Sequence, residues 1–307
     1  MLKKNQMYLY GLCITVFVAA VVMFCVNKYE YQYPGLFYFQ PTLFALSLFL
    51  LLVRMGLKLQ FSTISQSFLW KIARELNIYS ALIVLILFAT SAIQYTPFSP
   101  IDKKILEIEH YLHLDLKAVM AWTNTNGFIK EFLVIIRNSL AYQVVILPIF
   151  VMLARRFDVM YKFYFLILTT WLIGSFIYYF FPTTGPASVI DSPYFAEAQR
   201  TTGLKFWQLH HYIQPVSAEG GLIAMPSFHV IWGWLCVYLL RPWPIAFYLI
   251  LLVNSVMVAS CVLLGWHYFL DVIASTITLL VAHAIYYQCH KSPRGSLVDA
   301  VAATGKS

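Results

Sequence analysis

Long uninterrupted apolar stretches dominate this sequence, and they constrain its fold more than any other feature. A run of about 18 or more apolar residues can cross the hydrocarbon core of a bilayer as one helix. A transmembrane β-barrel would instead show short alternating segments separated by turns. The sequence therefore predicts an all-α, polytopic integral membrane helical bundle of about eight transmembrane helices. The candidate spans are residues 9–26, 36–53, 77–94, 132–154, 163–181, 222–240, 244–264 and 268–288.

Composition supports this interpretation and narrows the choice of partners. Hydrophobic residues make up 61% of the chain and charged residues only 11%, whereas soluble domains contain about 25% charged residues. The net charge of +8 comes mostly from basic residues that flank spans, so we expect anionic lipid headgroups rather than nucleic acid as the counter-charge. The five cysteines lie within or beside apolar spans and lack metal-ligand spacing, which favours buried free thiols.

The distribution of Lys and Arg predicts the orientation of the bundle. With the N-terminus in the cytoplasm, most basic residues fall in inside loops, and both termini are inside. Two segments, 95–130 and 182–225, then lie outside, which in a bacterial inner membrane is the periplasmic side. The first carries apolar residues at helical spacing and predicts an amphipathic helix on the membrane surface, with a plain lid or spacer as the alternative. Those apolar residues are Ile101, Ile105, Ile108, Leu112 and Leu116.

Two polar clusters interrupt the apolar region near the C-terminus, Pro226-Ser227-Phe228-His229 and His267-Tyr268-Phe269-Leu270-Asp271. Ionisable residues at membrane depth are costly and are candidates for function. On a helix, His267 and Asp271 share one face. A carboxylate that accepts a hydrogen bond from one imidazole nitrogen leaves the other nitrogen free as a nucleophile or base. His229 can then serve a second proton-transfer role.

The two histidines can meet only if the intervening helices fit. The turn at 241–244 makes spans 222–240 and 244–264 an antiparallel pair, but His229 is much closer to that turn than His267 is. The second span must therefore end before Gly265, or tilt. Five other histidines are assigned structural roles, because a lone histidine in an apolar span is usually structural. They are His110, His113, His210, His211 and His283.

The clusters PSFH and HYFLD resemble motifs of the type 2 phosphatidic acid phosphatase superfamily, which read PSGH and SRxxxxxHxxxD. The resemblance covers about residues 95–290. The sequences AMPSFH and GWHYFLD are most similar to those of the inositol phosphorylceramide synthase-like branch. It implies that His267 attacks phosphorus and forms a phosphohistidine, with Asp271 orienting it. It also implies that His229 protonates the leaving alkoxide and then activates the acceptor, while Ser227 hydrogen-bonds a phosphoryl oxygen.

The sequence departs from the family pattern at three points. The first motif, KxxxxxxRP, is absent; Cys261 replaces the arginine of the third motif; and Phe228 replaces the glycine of PSGH. Phosphoryl transfer needs positive charge on the equatorial oxygens, so other outer-side cations must substitute. The candidates are Arg137, Arg200, Lys205 and Lys130.

These inferences predict accessory membrane helices at 1–76, a phosphatase or phosphotransferase core at 77–290 and a cytoplasmic tail at 291–307. The expected substrate is a lipid phosphate or diphosphate at the outer membrane face, and no metal or other cofactor is expected. Hydrolysis and headgroup transfer to an alcohol remain open, as do the lipid and the oligomeric state. A transporter with proton-relay histidines and a haem-binding electron carrier are the alternatives outside this enzyme class.

Overall fold

The computed structural model describes residues 2–30, 51, 68–217 and 223–291, and all regular structure in them is helical. The helices are α1 (Leu2–Glu30), α2 (Phe68–Ile93), α3 (Asp102–Tyr111), α4 (Leu116–Thr125), α5 (Gly127–Leu153), α6 (Phe157–Phe180), α7 (Pro186–Val189), α8 (Glu197–His210), α9 (Phe228–Leu239), α10 (Pro244–Leu263) and α11 (Phe269–His290). The predicted all-α membrane bundle is confirmed.

Six helices in the described residues are long and apolar enough to cross a membrane: Met7–Val26 within α1, and all of α2, α5, α6, α10 and α11. The predicted span at 222–240 corresponds to α9, which has only 12 residues. The predicted span at 36–53 falls almost entirely outside the described residues. The count of eight therefore stays a prediction.

Helix α6 is the centre of the bundle, because its side chains are buried along most of its length. Helices α1, α2, α5, α9 and α11 all pack against it. A helix that is surrounded by other helices is expected to carry apolar residues on all of its faces. We use the term site end for the end of the bundle where α2, α6 and α10 finish and α5, α9 and α11 begin.

The segment after α2 does not form the single amphipathic helix predicted for 101–116. Helix α3 ends at Tyr111, and the chain turns through His113, which has φ +57°, before α4 begins. Ile108 and Leu112 remain 48% and 49% exposed. The buried face of α3 instead carries Asp102 and Glu109, because both carboxylates accept hydrogen bonds from other segments.

Candidate active site

A chain reversal after α10 brings the two histidines together. The carbonyl oxygen of Cys261 accepts hydrogen bonds from the backbone N–H groups of Trp266 (2.9 Å) and His267 (3.0 Å), so the chain folds back onto the last turn of α10. Gly265 adopts φ +74°, and a Cβ there would lie 2.4 Å from the sulfur of Met120. Helix α10 thus ends before Gly265, as expected.

The resulting arrangement places the ring centroids of His229 and His267 6.1 Å apart. His229 lies in the first turn of α9, whereas His267 immediately precedes α11. Both rings face one cavity. At this separation the two imidazoles can reach the same phosphoryl group, since reacting atoms approach to about 3–3.5 Å before reaction.

The carboxylate of Asp271 fixes the orientation of His267. Its Oδ2 atom accepts hydrogen bonds from Nδ1 of His267 (3.0 Å) and from the backbone N–H of Tyr268 (3.1 Å). Asp271 is fully buried and His267 is 7% exposed. Because Asp271 occupies the first turn of α11, the helix dipole also favours its charged form. With Nδ1–H donating to Asp271, the Nε2 atom of His267 carries the free lone pair.

The cavity that holds the histidines has a volume of about 550 Å³, which is the size of a typical small-molecule site. Its ionisable lining groups are Arg137, His229 and His267 near one end, and Tyr142. The remaining wall is mostly apolar and aromatic, and includes Ile86, Leu87, Ala141, Val144, Trp171, Phe206, Phe228 and Trp232. A ligand with a charged group at one end and an apolar body matches this division.

Arg137 is the cation that the structure brings to the histidines. Its guanidinium carbon lies 3.8 Å from the ring centroid of Trp266, which directly precedes His267, and the guanidinium interacts electrostatically with His229 and Cys261. Within the described part of the chain, no carboxylate pairs with it, and its Nε has no hydrogen-bond partner. A cation in such a site is expected to receive an anion.

Comparison with known proteins now adds to this geometry. The model of the PAP2 superfamily matches residues 103–285, which is more than half of the 307-residue chain. The chain belongs to the PAP2 superfamily. No curated protein and no solved structure matches it. The inositol phosphorylceramide synthase-like branch stays a prediction, because the match extends only to the superfamily.

Two departures from the PAP2 motifs have a structural explanation. Phe228 stands where PSGH has glycine, and its ring packs against Gly174 of α6, where a Cβ would lie 2.9 Å from the ring. The larger side chain is therefore accommodated by a glycine on the facing helix. Cys261 replaces the arginine of the third motif, and the guanidinium of Arg137 lies in the neighbourhood of this thiol.

The other predicted phosphate ligands of this PAP2 protein do not line the cavity. Ser227 is buried and caps α9, where its Oγ accepts a hydrogen bond from Val230 N–H at 3.5 Å. Arg200 donates to the carbonyl of Ser192 at 3.1 Å. Lys205 is buried in α8 beside the ring of Phe206, and burial lowers its pKa to about 8.

Lys130 is likewise held away from the histidines. Its Nζ donates to Oδ1 of Asn124 at 2.7 Å. The phosphate-binding roles of Ser227, Arg200 and Lys205 stay predictions, and among the predicted basic ligands only Arg137 lines the cavity with the histidines.

Sequence reasoning missed a buried carboxylate that supports the PAP2 site. Oδ2 of Asp102 accepts hydrogen bonds from the backbone N–H (2.9 Å) and hydroxyl (3.1 Å) of Thr184, and Oδ1 accepts from the N–H of Gly185 and the hydroxyl of Tyr268, both at 3.0 Å. Burial raises the pKa of Asp102 against the lowering effect of these bonds. Asp102 thereby links the loop at Thr184 and Gly185, which lines the cavity, to Tyr268, the residue after His267.

Glu109 supports the same region from the other end of α3. Its Oε1 accepts a hydrogen bond from the N–H of Leu270 at 3.0 Å, in the first turn of α11, and burial raises the pKa of this carboxyl. The shared spacing of Asp102, Ile105 and Glu109 on one helical face was present in the sequence. It could have indicated that the two acids are buried together with Ile105.

Proposed function

We propose that this protein is a membrane lipid-phosphate phosphatase that works through a phosphohistidine on His267. The observation that most supports this proposal is the His267–Asp271 hydrogen bond at 3.0 Å. It leaves Nε2 of His267 available in a cavity that His229 and Arg137 also line. Membership of the PAP2 superfamily supports phosphatase or phosphotransferase chemistry. The apolar wall of the cavity supports a lipid as the substrate.

The proposed reaction has two steps that use the same residues. Nε2 of His267 attacks phosphorus and the bond from phosphorus to the leaving oxygen breaks. His229, whose protonated form the negative charge of the bound phosphate favours, gives its proton to that oxygen. Neutral His229 then takes a proton from water, whose oxygen attacks phosphorus. The N–P bond breaks, inorganic phosphate is released and His267 is restored. A covalent intermediate divides one difficult step into two easier ones.

Positive charge is needed around the transferring phosphoryl group. Arg137 is the side chain best placed to supply it, since it lines the cavity with both histidines. The first turns of α9 and α11 also lie at the site, and helix N-termini favour anions. Arg200 and Lys205 would have to change position to contribute directly.

Headgroup transfer to an alcohol is the second candidate, because the same phosphohistidine can pass its phosphoryl group to an alcohol instead of water. The mostly apolar cavity wall favours a lipid alcohol as that acceptor. Water and alcohol differ only in the second step, so the products distinguish them.

The proposal predicts phosphate release from lipid phosphates without added metal. Purified protein in nanodiscs would be incubated with phosphatidic acid, undecaprenyl diphosphate and a sphingolipid phosphate, each with and without an alcohol acceptor. We expect inorganic phosphate from at least one substrate, at a rate unchanged by EDTA. Loss of activity with EDTA that added Mg²⁺ or Zn²⁺ restores would contradict the metal-free mechanism, and absence of turnover on every substrate would contradict the function.

We also propose that the site end faces the outside of the membrane, which is the periplasm in a bacterium. Arg155, Arg156 and Arg241 all lie at the opposite end, in agreement with the bias of basic residues toward the cytoplasm. An outward-facing site would use lipid phosphates of the outer leaflet.

Cysteine labelling tests this orientation. Glu197, in the segment 182–225, and Lys291, after α11, are both exposed and suit this test. In a cysteine-free background, a membrane-impermeant thiol reagent on intact cells should label Glu197→Cys and spare Lys291→Cys. Permeabilised cells, in which both should react, provide the control. If only Lys291→Cys were labelled on intact cells, the site end would have to face the cytoplasm.

A further inference from the structure

The candidate active-site cavity continues away from the histidines, toward the seam between α2 and α5. Its wall there is formed by Ile86, Leu87 and Thr90 of α2, and by Ala141 and Val144 of α5. These five side chains include one hydroxyl and are otherwise apolar. The cavity therefore has a polar end at the histidines and an arm suited to hydrocarbon.

The seam is closed at one level and open at another. The hydroxyl of Tyr79 on α2 donates to the carbonyl of Val144 on α5 at 2.5 Å, which ties the two helices together at that level. Arg137 lies seven residues nearer the site end, about 10 Å along the helix at 1.5 Å per residue. Between these levels, Asn138, Ala141 and Tyr142 line the cavity and are exposed.

The opening faces a surface suited to lipid rather than water. Tyr142 is 70% exposed, and Val145 and Ile146 beside it on α5 are also exposed. This surface belongs to a helix long and apolar enough to span a bilayer. An opening in such a surface meets hydrocarbon chains, since side chains on the outside of a membrane bundle contact lipid.

We propose that this opening, between Leu87 of α2 and Asn138, Ala141 and Tyr142 of α5, admits the hydrocarbon chain of a phosphate ester directly from the bilayer. The phosphate then lies at Arg137 and His267, and the chain extends through the arm into the membrane. The proposal rests on the proposed function for the phosphate end. Helix α2 lies outside the residues that match the PAP2 superfamily, so one wall of this opening belongs to a part of the chain that the match does not cover.

A tryptophan in the opening should obstruct the chain. Ala141→Trp places a large ring at an exposed position, where the backbone need not move to accommodate it. We expect the ratio of kcat/KM for dioleoyl phosphatidic acid to kcat/KM for p-nitrophenyl phosphate to fall at least tenfold, because only the lipid has a chain to thread. Leu252→Trp is the matched control, since Leu252 is 66% exposed on α10 and lies outside the cavity. It should leave the ratio unchanged.

Lipid retention tests the opening independently of turnover. In a His267→Ala background, native mass spectrometry would measure dioleoyl phosphatidic acid bound to the protein. Retention should fall at least fivefold with Ala141→Trp and stay constant with Leu252→Trp. The proposal would be overturned if His267→Ala/Ala141→Trp and His267→Ala/Leu252→Trp retained equal amounts of lipid, or if neither retained any. It would also be overturned if Ala141→Trp lowered kcat/KM equally for both substrates. Failure of the proposed function would instead appear as absence of phosphate release by the unmodified protein.

Discussion

His267→Ala is expected to lower kcat by on the order of 10³-fold or more while leaving the protein folded, because it removes the proposed nucleophile and its covalent intermediate. The side chain makes one hydrogen bond, to Asp271, and lies against the cavity rather than in the packed core, so its loss leaves the helices in contact. Phosphate release from the most active lipid substrate would measure kcat. Rapid quenching with radiolabelled substrate would measure the phosphoenzyme, which should be absent from the variant.

His283→Ala provides the matched control. His283 lies on α11, the helix that follows His267, and accepts a hydrogen bond from the indole N–H of Trp234 at 3.3 Å, but it does not line the cavity. Its removal should change kcat less than threefold. If His267→Ala kept more than about a tenth of the unmodified rate, or still formed a phosphoenzyme, the nucleophile would have to be another residue.

Arg137→Ala is expected to lower kcat/KM by about 10²–10³-fold, the usual effect of removing one donor to the developing transition-state charge. The guanidinium rests on Trp266 beside the nucleophile and has no carboxylate partner in the described residues. Its charge is therefore available to the phosphoryl group. The same steady-state assay measures the loss, and thermal unfolding of the variant checks that the fold is retained.

A second substitution, at Cys261, tests whether the loss in Arg137→Ala comes from the missing positive charge. PAP2 proteins carry an arginine at this position of the third motif, and Arg137 lies in the neighbourhood of Cys261. Adding Cys261→Arg to Arg137→Ala should therefore recover at least tenfold of the lost activity by supplying the charge from α10. Arg155→Ala, which removes a cation stacked on Phe68 at the opposite end, controls for loss of net charge.

The other predicted cations can be compared in the same assay. Arg200→Ala and Lys205→Met should each lower kcat/KM much less than Arg137→Ala does, because neither side chain lines the cavity. A loss at Arg200 equal to that at Arg137 would show that the 182–225 segment closes over the phosphate. A full-rate Arg137→Ala variant would remove Arg137 from the mechanism.

The short separation of His267 and Asp271 explains why their pairing could be predicted from the sequence alone. The pair was predicted from its i, i+4 spacing on a helix, but His267 lies before the start of α11. The bond forms because Asp271, in the first turn of α11, accepts hydrogen bonds from the two residues that precede the helix. The expected end of α10 before Gly265 also came from local chemistry. A glycine can adopt the positive φ of a chain reversal, whereas other residues are strained there.

Non-local packing explains where the prediction for 101–116 was wrong. The predicted surface helix is interrupted at His113, and its first part buries Asp102 and Glu109 beside Ile105. Spacing along α3 cannot show that backbone N–H groups of two distant segments, 184–185 and 270, will need carboxylate acceptors. Such groups are costly to bury without partners, and the partners come from wherever the fold brings them.

The amino-acid sequence by itself determined that this protein is a bundle of membrane helices and predicted a histidine–aspartate pair at one end of it. Both follow from features of short range, the length of apolar runs and the four-residue separation of His267 and Asp271. Only the tertiary structure decided which cation accompanies the pair. Arg137 precedes His267 by 130 positions, and it reaches the site because α5 packs beside α9 and α10 and its guanidinium stacks on Trp266.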